Sequence, residues 1–447
     1  MTSAMQVKEA GPAGTARWSH RPPRQGPEWL NDLRETAMGR FDALGFPTTR
    51  MEAWRLLSVA PIADRKFVIP PENAAGTQAA EVDPFAFTGL KNRIVFVNGR
   101  FNEQLSNIGP PEVAGVRVLD LAEAAGAQPE LIRRHLAQYA GFENEAFTAL
   151  NTALFGDGLF IHVPKGVGLD DPIHLLNLAV PQDAPTMTHP RLLVVAEEGS
   201  RCTIVEDFAA SAEGVYLTNS VTEFVVRDGA VATHYMLQRE SDQAFNISTL
   251  QVHQGRDSDF TSHSLMLGAA MARNNVNPVL AGQGCRSLLN GLYVLGGDQA
   301  VDNHMRVDHA QAHGDSRQHY KGIMSGRSRG IFRGRIIVRP DAQKTDAKQS
   351  NQNLLLSDDA SINSDPQLEI YADDVKCTHG STTGRIDESA IFYLQTRGIP
   401  RDVARAMLTN AFASESLERM TVDPIRDHFK GVILERLPCG DAVKGFQ

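Results

Sequence analysis

The sequence predicts a mainly β core that lies between two helical regions. Three observations indicate this fold class: short apolar strands separated by turns from Leu159 onward, turn glycines at intervals of about 26 to 30 residues, and helical spacing of apolar residues on both sides. The glycines are Gly199, Gly229, Gly255, Gly284 and Gly314. This period favours a β-solenoid of stacked units. A large β-sandwich with irregular turns explains the spacing about equally well.

The N-terminal part is expected to contain two units. Residues 1–26 are rich in Pro, Gly, Ala and Arg without a continuous apolar stretch, so we expect a disordered lead-in and not a secretory signal. Residues 27–155 predict a mostly helical domain. Its first helix begins near Glu28 and is stopped by Gly45 and Pro47, a strand follows at Ile94, and residues 119–139 have helix-like composition.

The β core is predicted over residues 156–385 and a C-terminal helical domain over 386–447. Asp387 is placed to cap a helix that runs to Thr396, and Pro400 opens the next helix, which continues over residues 402–419. A third helix is expected after Asp423. The expected apolar stripe of the second helix consists of Val403, Met407, Ala411, Leu408 and Phe412.

Composition excludes several classes of protein. The net charge of -9 gives no overall attraction to nucleic acid, and no apolar run approaches the roughly 18 residues of a membrane span. The four cysteines lie far apart in the sequence and form no C-x-x-C pair, which argues against a disulfide framework. We therefore expect the protein in the reducing cytoplasm. Cys202 and Cys285, within apolar strands, are expected to be buried as small hydrophobic residues. No phosphate-binding P-loop occurs, so we expect the chain to bind no nucleotide.

Cys377 and His379 form the most distinctive motif. Their flanks are β-branched or alternating, which predicts a strand, and residues two apart in a strand share one face. A thiol and an imidazole would therefore point the same way, toward one metal ion or one sulfur species. Lys376 would point oppositely, but its charge and the polar neighbours could still favour the thiolate. Alternatively, the two side chains make satisfied structural contacts and have no role in binding.

A second group contains four histidines within sixteen residues, with aspartates between them. Imidazole and carboxylate suit borderline metals such as iron or zinc. The spacing is irregular, however, and on strands it would scatter the side chains over both faces, so a polar network is the more usual role. The four residues are His304, His309, His313 and His319.

Several segments resemble the SufD branch of the SufB/SufD family, whose members are scaffold subunits of the SUF iron–sulfur cluster assembly system. The resemblance rests on His319-Tyr-Lys-Gly-Ile, Arg329-Gly-Ile-Phe-Arg-Gly-Arg-Ile, Ala342-Gln-Lys-Thr-Asp-Ala, Asn353-Leu-Leu-Leu-Ser, Leu368-Glu-Ile-Tyr-Ala-Asp-Asp-Val-Lys-Cys and Phe392-Tyr-Leu-Gln-Thr-Arg-Gly-Ile. The SufB branch has a different sequence where this chain has Lys376-Cys-Thr-His-Gly, which favours the SufD branch.

The resemblance implies a right-handed parallel β-helix core flanked by helical regions. Because the open edge strands of such a solenoid have unpaired backbone groups, we expect the chain to form a homodimer when the SufB-like subunit is absent. The resemblance also implies a non-enzymatic scaffold that pairs with a SufB-like subunit and binds a SufC-like ATPase. His379, with Cys377 beside it, would hold iron or a nascent Fe-S cluster at the subunit interface. The ATPase would bind C-terminal helices through Tyr393, Arg397, Ile399, Pro400, Met407 and Phe412.

Two other functions remain open at this point. A β-helix can be a carbohydrate-active enzyme, which would need paired carboxylates facing a groove, whereas the acids in this sequence are scattered. Alternatively, the chain is a purely structural adaptor for the ATPase without a role in metal binding.

Overall fold

The computed structural model describes residues 20–71, 79–107, 115–437 and 440–444. Cys439 and all but the last seven residues of the expected lead-in lie outside the described residues. The chain is mainly β, with 40% of residues in strands and 23% in helices, and it contains a β-solenoid of about eight turns with helices at both ends. The predicted fold class is confirmed, and the sandwich alternative is wrong.

The helices are grouped at the two ends of the chain. Six come before most of the solenoid strands: α1 (Glu28–Leu44), α2 (Ala60–Ala63), α3 (Ala79–Val82), α4 (Leu121–Ala127), α5 (Pro129–His135) and α6 (Ala146–Leu154). Four more that the structure describes come after the solenoid: α7 (Glu388–Gln395), α8 (Arg401–Leu417), α9 (Asp423–Arg436) and α10 (Gly440–Lys444). Among these helices, none combines the length and the apolar character needed to cross a membrane.

Two ten-stranded sheets form the walls of the solenoid. The first sheet contains β3 (Arg117–Asp120), β4 (Gly158–Val163), β6 (Thr186–Thr188), β7 (Arg191–Ala196), β9 (Tyr216–Val226), β11 (Phe245–Gln254), β13 (Met271–Leu280), β15 (Ala300–His309), β17 (Arg329–Val338) and β19 (Ser361–Ile370). The second contains β1 (Asn92–Val97), β2 (Arg100–Phe101), β5 (Ile173–Ala179), β8 (Arg201–Ala210), β10 (Val231–Arg239), β12 (Asp259–Met266), β14 (Arg286–Leu295), β16 (Asp315–Met324), β18 (Asp346–Leu355) and β20 (Lys376–Gly384).

Successive coils stack in register along each sheet. Val231 pairs with Asp259, Asp259 with Arg286, and Arg286 with Asp315, so one coil takes about 27 to 31 residues. This is the period of the turn glycines. At Gly229 the backbone φ is 64°, a conformation that glycine adopts without strain. Gly255 is needed for a different reason, because a Cβ there would lie 2.8 Å from the backbone nitrogen of Asp228 in the neighbouring coil.

The interior side of the strands forms a continuous core, because alternate residues of every strand point inward. Representative members of this core are Val194, Phe224, Val252, Phe260 and Phe332. The outer faces are also covered in part. Phe41, Trp54 and Phe147 of the N-terminal region pack on the first sheet, and residues of α8 and α9, such as Leu417 and Phe429, pack on the second.

A buried ion pair fastens the N-terminal region to the solenoid. The carboxylate of Glu223 on β9 is paired with the Arg191 guanidinium of β7, and both side chains are fully buried. The same carboxylate accepts hydrogen bonds from the backbone nitrogens of Ala137, Tyr139 and Ala140 at 2.7, 3.0 and 3.0 Å. Because charge-assisted hydrogen bonds are strong, Glu223 holds the segment after α5 against the first sheet.

Two local predictions need correction. Residues 117–120 form strand β3, paired antiparallel with β4, and the helical segment after them is divided between α4 and α5 at Gln128 and Pro129. The buried stripe of α8 is also different from the predicted one: Ala411 is exposed and Met407 half-buried, while Ala406, Ala413 and Leu417 are buried. The small residues face inward because α8 packs between the solenoid and its neighbouring helices.

Candidate functional site

The Cys377–His379 motif lies on β20, the last strand of the second sheet. Register pairs Cys377 with Ala347 and His379 with Gln349, both of which are buried interior residues of β18. Both motif side chains therefore lie on the inward side of the last coil, about 6.6 Å apart along the strand. No further described coil covers them, so this inward side forms an open end of the solenoid.

The facing strand of this open end is β19, the last strand of the first sheet. Leu368 and Ile362 pack against the core, while Ser364 accepts a hydrogen bond from the Ser381 hydroxyl at 2.8 Å. Ser364 in turn donates to Asn351 Oδ1 at 2.9 Å. Each end strand has a sheet neighbour on one side only, so its remaining backbone donors and acceptors are open for pairing.

Cys377 is half-buried and packs against the solenoid core. Burial is the main cause that raises the pKa of its thiol above the ordinary value, and the nearby Asp346 carboxylate acts in the same direction. Lys376 pairs with Asp346 in register and lies on the outer side of the strand. The expectation that the surroundings favour the thiolate is therefore wrong for the isolated chain, since they favour the protonated thiol.

His379 is exposed at the same end. Among residues 20–71, 79–107, 115–437 and 440–444, no group of three or more His, Cys, Asp or Glu side chains is arranged to hold a metal ion. Cys377 and His379 can thus supply two neighbouring donors. Asp374 lies in the preceding loop and is ion-paired with Lys344, so its carboxylate is engaged elsewhere. A metal ion bound by these two donors would need further ligands from outside the described residues, for example from another chain.

The structure does not bring the four other histidines together. His304 lies on the outer side of β15, where burial and then Arg273 and Arg333 lower the pKa of its imidazole. His309 is buried in the interior, with Nε2 2.8 Å from Ser316 Oγ. His313 is exposed in a turn, and His319 lies on the outer side of β16, near α8. Alternation along the strands separates them.

The C-terminal residues expected to bind a partner fall into two places. Tyr393 is 57% exposed on α7, and Arg397 Nη2 donates to its hydroxyl at 3.1 Å. Pro400 and the half-buried Ile399 lie in the following turn. Met407 is half-buried on α8 and, like Ile399, packs against a small apolar cluster that includes Val403. Phe412 lies elsewhere: the Lys321 ammonium sits 4.3 Å from its ring centre, so this side chain packs against the solenoid.

Two exposed aromatic residues escaped the sequence analysis. Phe392 is 67% exposed on α7, and Tyr371 is 62% exposed in the loop between β19 and β20. Helical periodicity could have indicated the exposure of Phe392. Ile391 is the buried residue of α7, and the residue after it lies about 100° around the helix, away from the buried side. Tyr371 follows the last strand residue, where alternation no longer indicates which way a side chain points.

The remaining described cysteines have the predicted environment. Cys202 and Cys285 are buried within the core, and burial raises the pKa of both thiols, that of Cys202 to about 12. Neither is available as a thiolate at neutral pH.

Comparison with known proteins gives two family matches. The family "SufBD protein N-terminal region" matches residues 23–175, and "SUF system FeS cluster assembly, SufBD core domain" matches residues 179–412. An iron-sulfur cluster assembly SufBD family protein of Synechocystis is 32% identical over 409 residues, which cover 90% of both chains. The iron-sulfur cluster assembly protein SufD of Escherichia coli is 30% identical over 89% of this chain and 90% of its own. That of Bacillus subtilis is 24% identical over 92% and 94%.

These matches span nearly all of the described chain and include both the solenoid and the N-terminal region. They confirm the resemblance that the sequence motifs indicated. The chain therefore belongs to the SufB/SufD family of iron–sulfur cluster assembly proteins, with relatives named SufD.

Proposed function

We propose that this chain is a non-enzymatic scaffold subunit that helps to acquire iron and to build a nascent Fe-S cluster at an interface with a SufB-like subunit. The observation that carries the proposal is the placement of His379 and Cys377 side by side on an uncovered end of the solenoid. Two donors at an open end can bind iron or a nascent cluster whose remaining ligands are supplied by the partner subunit. The cluster is then shared across the interface and can be released.

The open backbone edges of β19 and β20 support pairing at the same end. Strand addition from a second solenoid would satisfy these edges and would cover the inward side of the last coil. A second copy of this chain has the same edges, so we expect a homodimer when the SufB-like subunit is absent. Light scattering on the purified chain tests this expectation, and a monomer at high concentration would count against it.

The C-terminal helices are proposed to bind a SufC-like ATPase. The exposed Phe392 and Tyr393 form an apolar surface on α7 that the described part of the chain leaves open, and Arg397 lies against the Tyr393 ring. Aromatic and arginine side chains are typical anchors of protein interfaces. ATP hydrolysis would then take place in the partner, since this sequence has no P-loop.

The test compares His379→Asn with His313→Asn, a control at the other exposed histidine. Asn suits both positions, because the φ of 61° at His313 is one that Asn tolerates. Each variant is reconstituted anaerobically with the SufB-like and SufC-like partners, iron and a sulfur donor. Visible absorbance reports cluster formation and gel filtration reports assembly of the complex.

We expect the His379→Asn complex to assemble without accumulating a cluster, while His313→Asn behaves as wild type. Normal cluster formation by His379→Asn would contradict iron binding at this position and would support the purely structural adaptor. A complex that fails to assemble would place His379 in subunit pairing instead. Family membership gives the carbohydrate-active alternative no support.

A further inference from the structure

Two glutamines form a ladder directly behind His379. Register aligns Gln318 of β16 with Gln349 of β18, and Gln349 with His379 of β20. In an in-register parallel sheet, such residues stack about 4.8 Å apart on one face. The two glutamines are buried, 0% and 3% exposed, so their amides belong to the solenoid interior.

The hydrogen bonds of the ladder run in one direction and end at Gln349, before they reach His379. Gln349 Nε2 donates to Gln318 Oε1 at 2.9 Å, so the amide of the later coil donates to that of the earlier one. Gln349 Oε1 is buried and has no hydrogen-bond partner among the described residues. The next side chain in the column is His379, whose ring N–H is the donor that would continue the ladder.

A glycine on the opposite sheet makes room for this amide. A Cβ at Gly334 would lie 2.1 Å from Gln349 Nε2 and 2.7 Å from its Cδ, which no side chain can tolerate without displacing the amide. The amide of Gln349 therefore crosses the interior to Gly334. Its position is set by packing as well as by the bond to Gln318.

We propose that Gln349 is a positioning residue for His379: its Oε1 accepts a hydrogen bond from one ring nitrogen and so fixes the imidazole tautomer that presents the other nitrogen to iron. An unpartnered buried acceptor is costly, which gives the bond a driving force. Metal-binding histidines generally donate their second ring N–H to a carbonyl or carboxylate, which orients the ring. The inference rests on the proposed role of His379 in holding iron.

The first readout does not depend on iron. We would label the histidines of the full-length protein with ¹⁵N and compare wild type with Gln349→Met, a substitution of similar length that replaces the amide by a thioether, which is only a weak acceptor. The His379 signals are assigned by their loss in His379→Asn. We expect two well-separated ring nitrogen shifts in wild type, characteristic of one neutral tautomer, and shifts that move toward each other in Gln349→Met. Unchanged shifts would overturn the proposal, as would shifts that show the amide donating to the ring.

The second readout is anaerobic titration of ferrous iron into the complex with its partners. We expect Gln349→Met to bind iron about 10- to 100-fold more weakly and Gln349→Glu, which keeps an acceptor oxygen, to recover most of the affinity. Gln352→Met, on the outer side of the same strand, is the matched control and should bind as wild type. Equal losses in Gln349→Met and Gln352→Met would overturn the inference in favour of a general effect on β18.

The two proposals can fail separately. If His379→Asn loses iron and Gln349→Met does not, the scaffold function stands and the positioning role is wrong. If His379→Asn binds iron normally, the proposed function itself is wrong, whatever the tautomer of His379.

Discussion

Replacing Tyr235 by Phe should loosen the attachment of the C-terminal helices to the solenoid. Tyr235 is fully buried on the outer side of β10, and its hydroxyl accepts hydrogen bonds from the backbone nitrogens of Thr421 and Val422 at 3.0 and 3.2 Å. These two groups immediately precede α9. Val422 is the N-cap residue of α9 and Thr421 precedes it, so the tyrosine hydroxyl satisfies two backbone donors that lie just outside the helix and have no partner within it.

The size of the effect follows from these contacts. A buried donor that loses its partner costs about 1 to 3 kcal/mol. Thr421 is exposed, so water can replace part of what its nitrogen loses, and we expect a total of about 1 to 2 kcal/mol. This is a factor of about 5 to 30 in the equilibrium for local opening. The ring of Phe fills the same space, so packing in the apolar cluster around Tyr235 is retained.

Hydrogen exchange read by mass spectrometry is the direct assay. Peptides that cover residues 421–426 should exchange about 5 to 30 times faster in Tyr235→Phe, with little change in the solenoid strands. Tyr320→Phe is the matched control, since that buried hydroxyl lies in the solenoid core and accepts a 3.3 Å bond from Ser264 Oγ. Unchanged exchange at the start of α9, or equal acceleration in both variants, would refute the reasoning.

Three further outcomes are expected. Glu223→Gln leaves Arg191 buried without its counter-charge and should reduce the free energy of unfolding in urea by about 3 to 5 kcal/mol; a loss below about 1 kcal/mol would contradict the ion-pair account. Burial lowers the pKa of His263 and His309 to about 4, so the unfolded chain takes up protons first as the pH falls. Stability should therefore decline between about pH 6.5 and 4, by up to about 3 kcal/mol per histidine, and thermal unfolding that is independent of pH in this range would refute it. Cys377→Ser should reduce iron loading of the complex, measured by metal analysis, less than loss of the imidazole does, because its surroundings favour the neutral thiol; an equal or larger loss would make the thiol the principal ligand.

The solenoid could be predicted from local sequence only in part. Strands and turns follow from alternation and from glycine placement, but a sandwich uses the same local patterns. What distinguishes the two is the pairing of each strand with the strand one coil away, such as Asp315 with Asp346, and this pairing leaves no local signal. Motif resemblance supplied the missing information. The cap at Asp387 was predictable because it is local: its side chain accepts a hydrogen bond from Ser389 N two residues later.

Predictions failed where tertiary contacts override local preference. Leu119 has helix-like neighbours but pairs with Phe160 in β3 and β4, because the first sheet offers it a strand partner. In α8, Ala411 was assigned to the buried side because apolar residues usually mark it, yet the close approach of the helix to its neighbours selects small residues such as Ala406 for burial.

The candidate site shows the same division. That Cys377 and His379 share a face follows from a strand period of two residues. That this face is uncovered could not be read from the sequence, since it depends on β20 being the last strand of its sheet. The role proposed for Gln349 likewise needs the register of strands, because Gln349 and His379 are neighbours only through pairing.

The central claim is that His379 binds iron at the open end of the solenoid, and X-ray absorption at the iron K-edge tests it most directly. The complex with the SufB-like and SufC-like partners would be loaded anaerobically with iron and measured as wild type and as His379→Asn. We predict outer-shell scattering from an imidazole in wild type that is lost in the variant while the complex remains assembled. Identical spectra for the two complexes would contradict iron binding by His379.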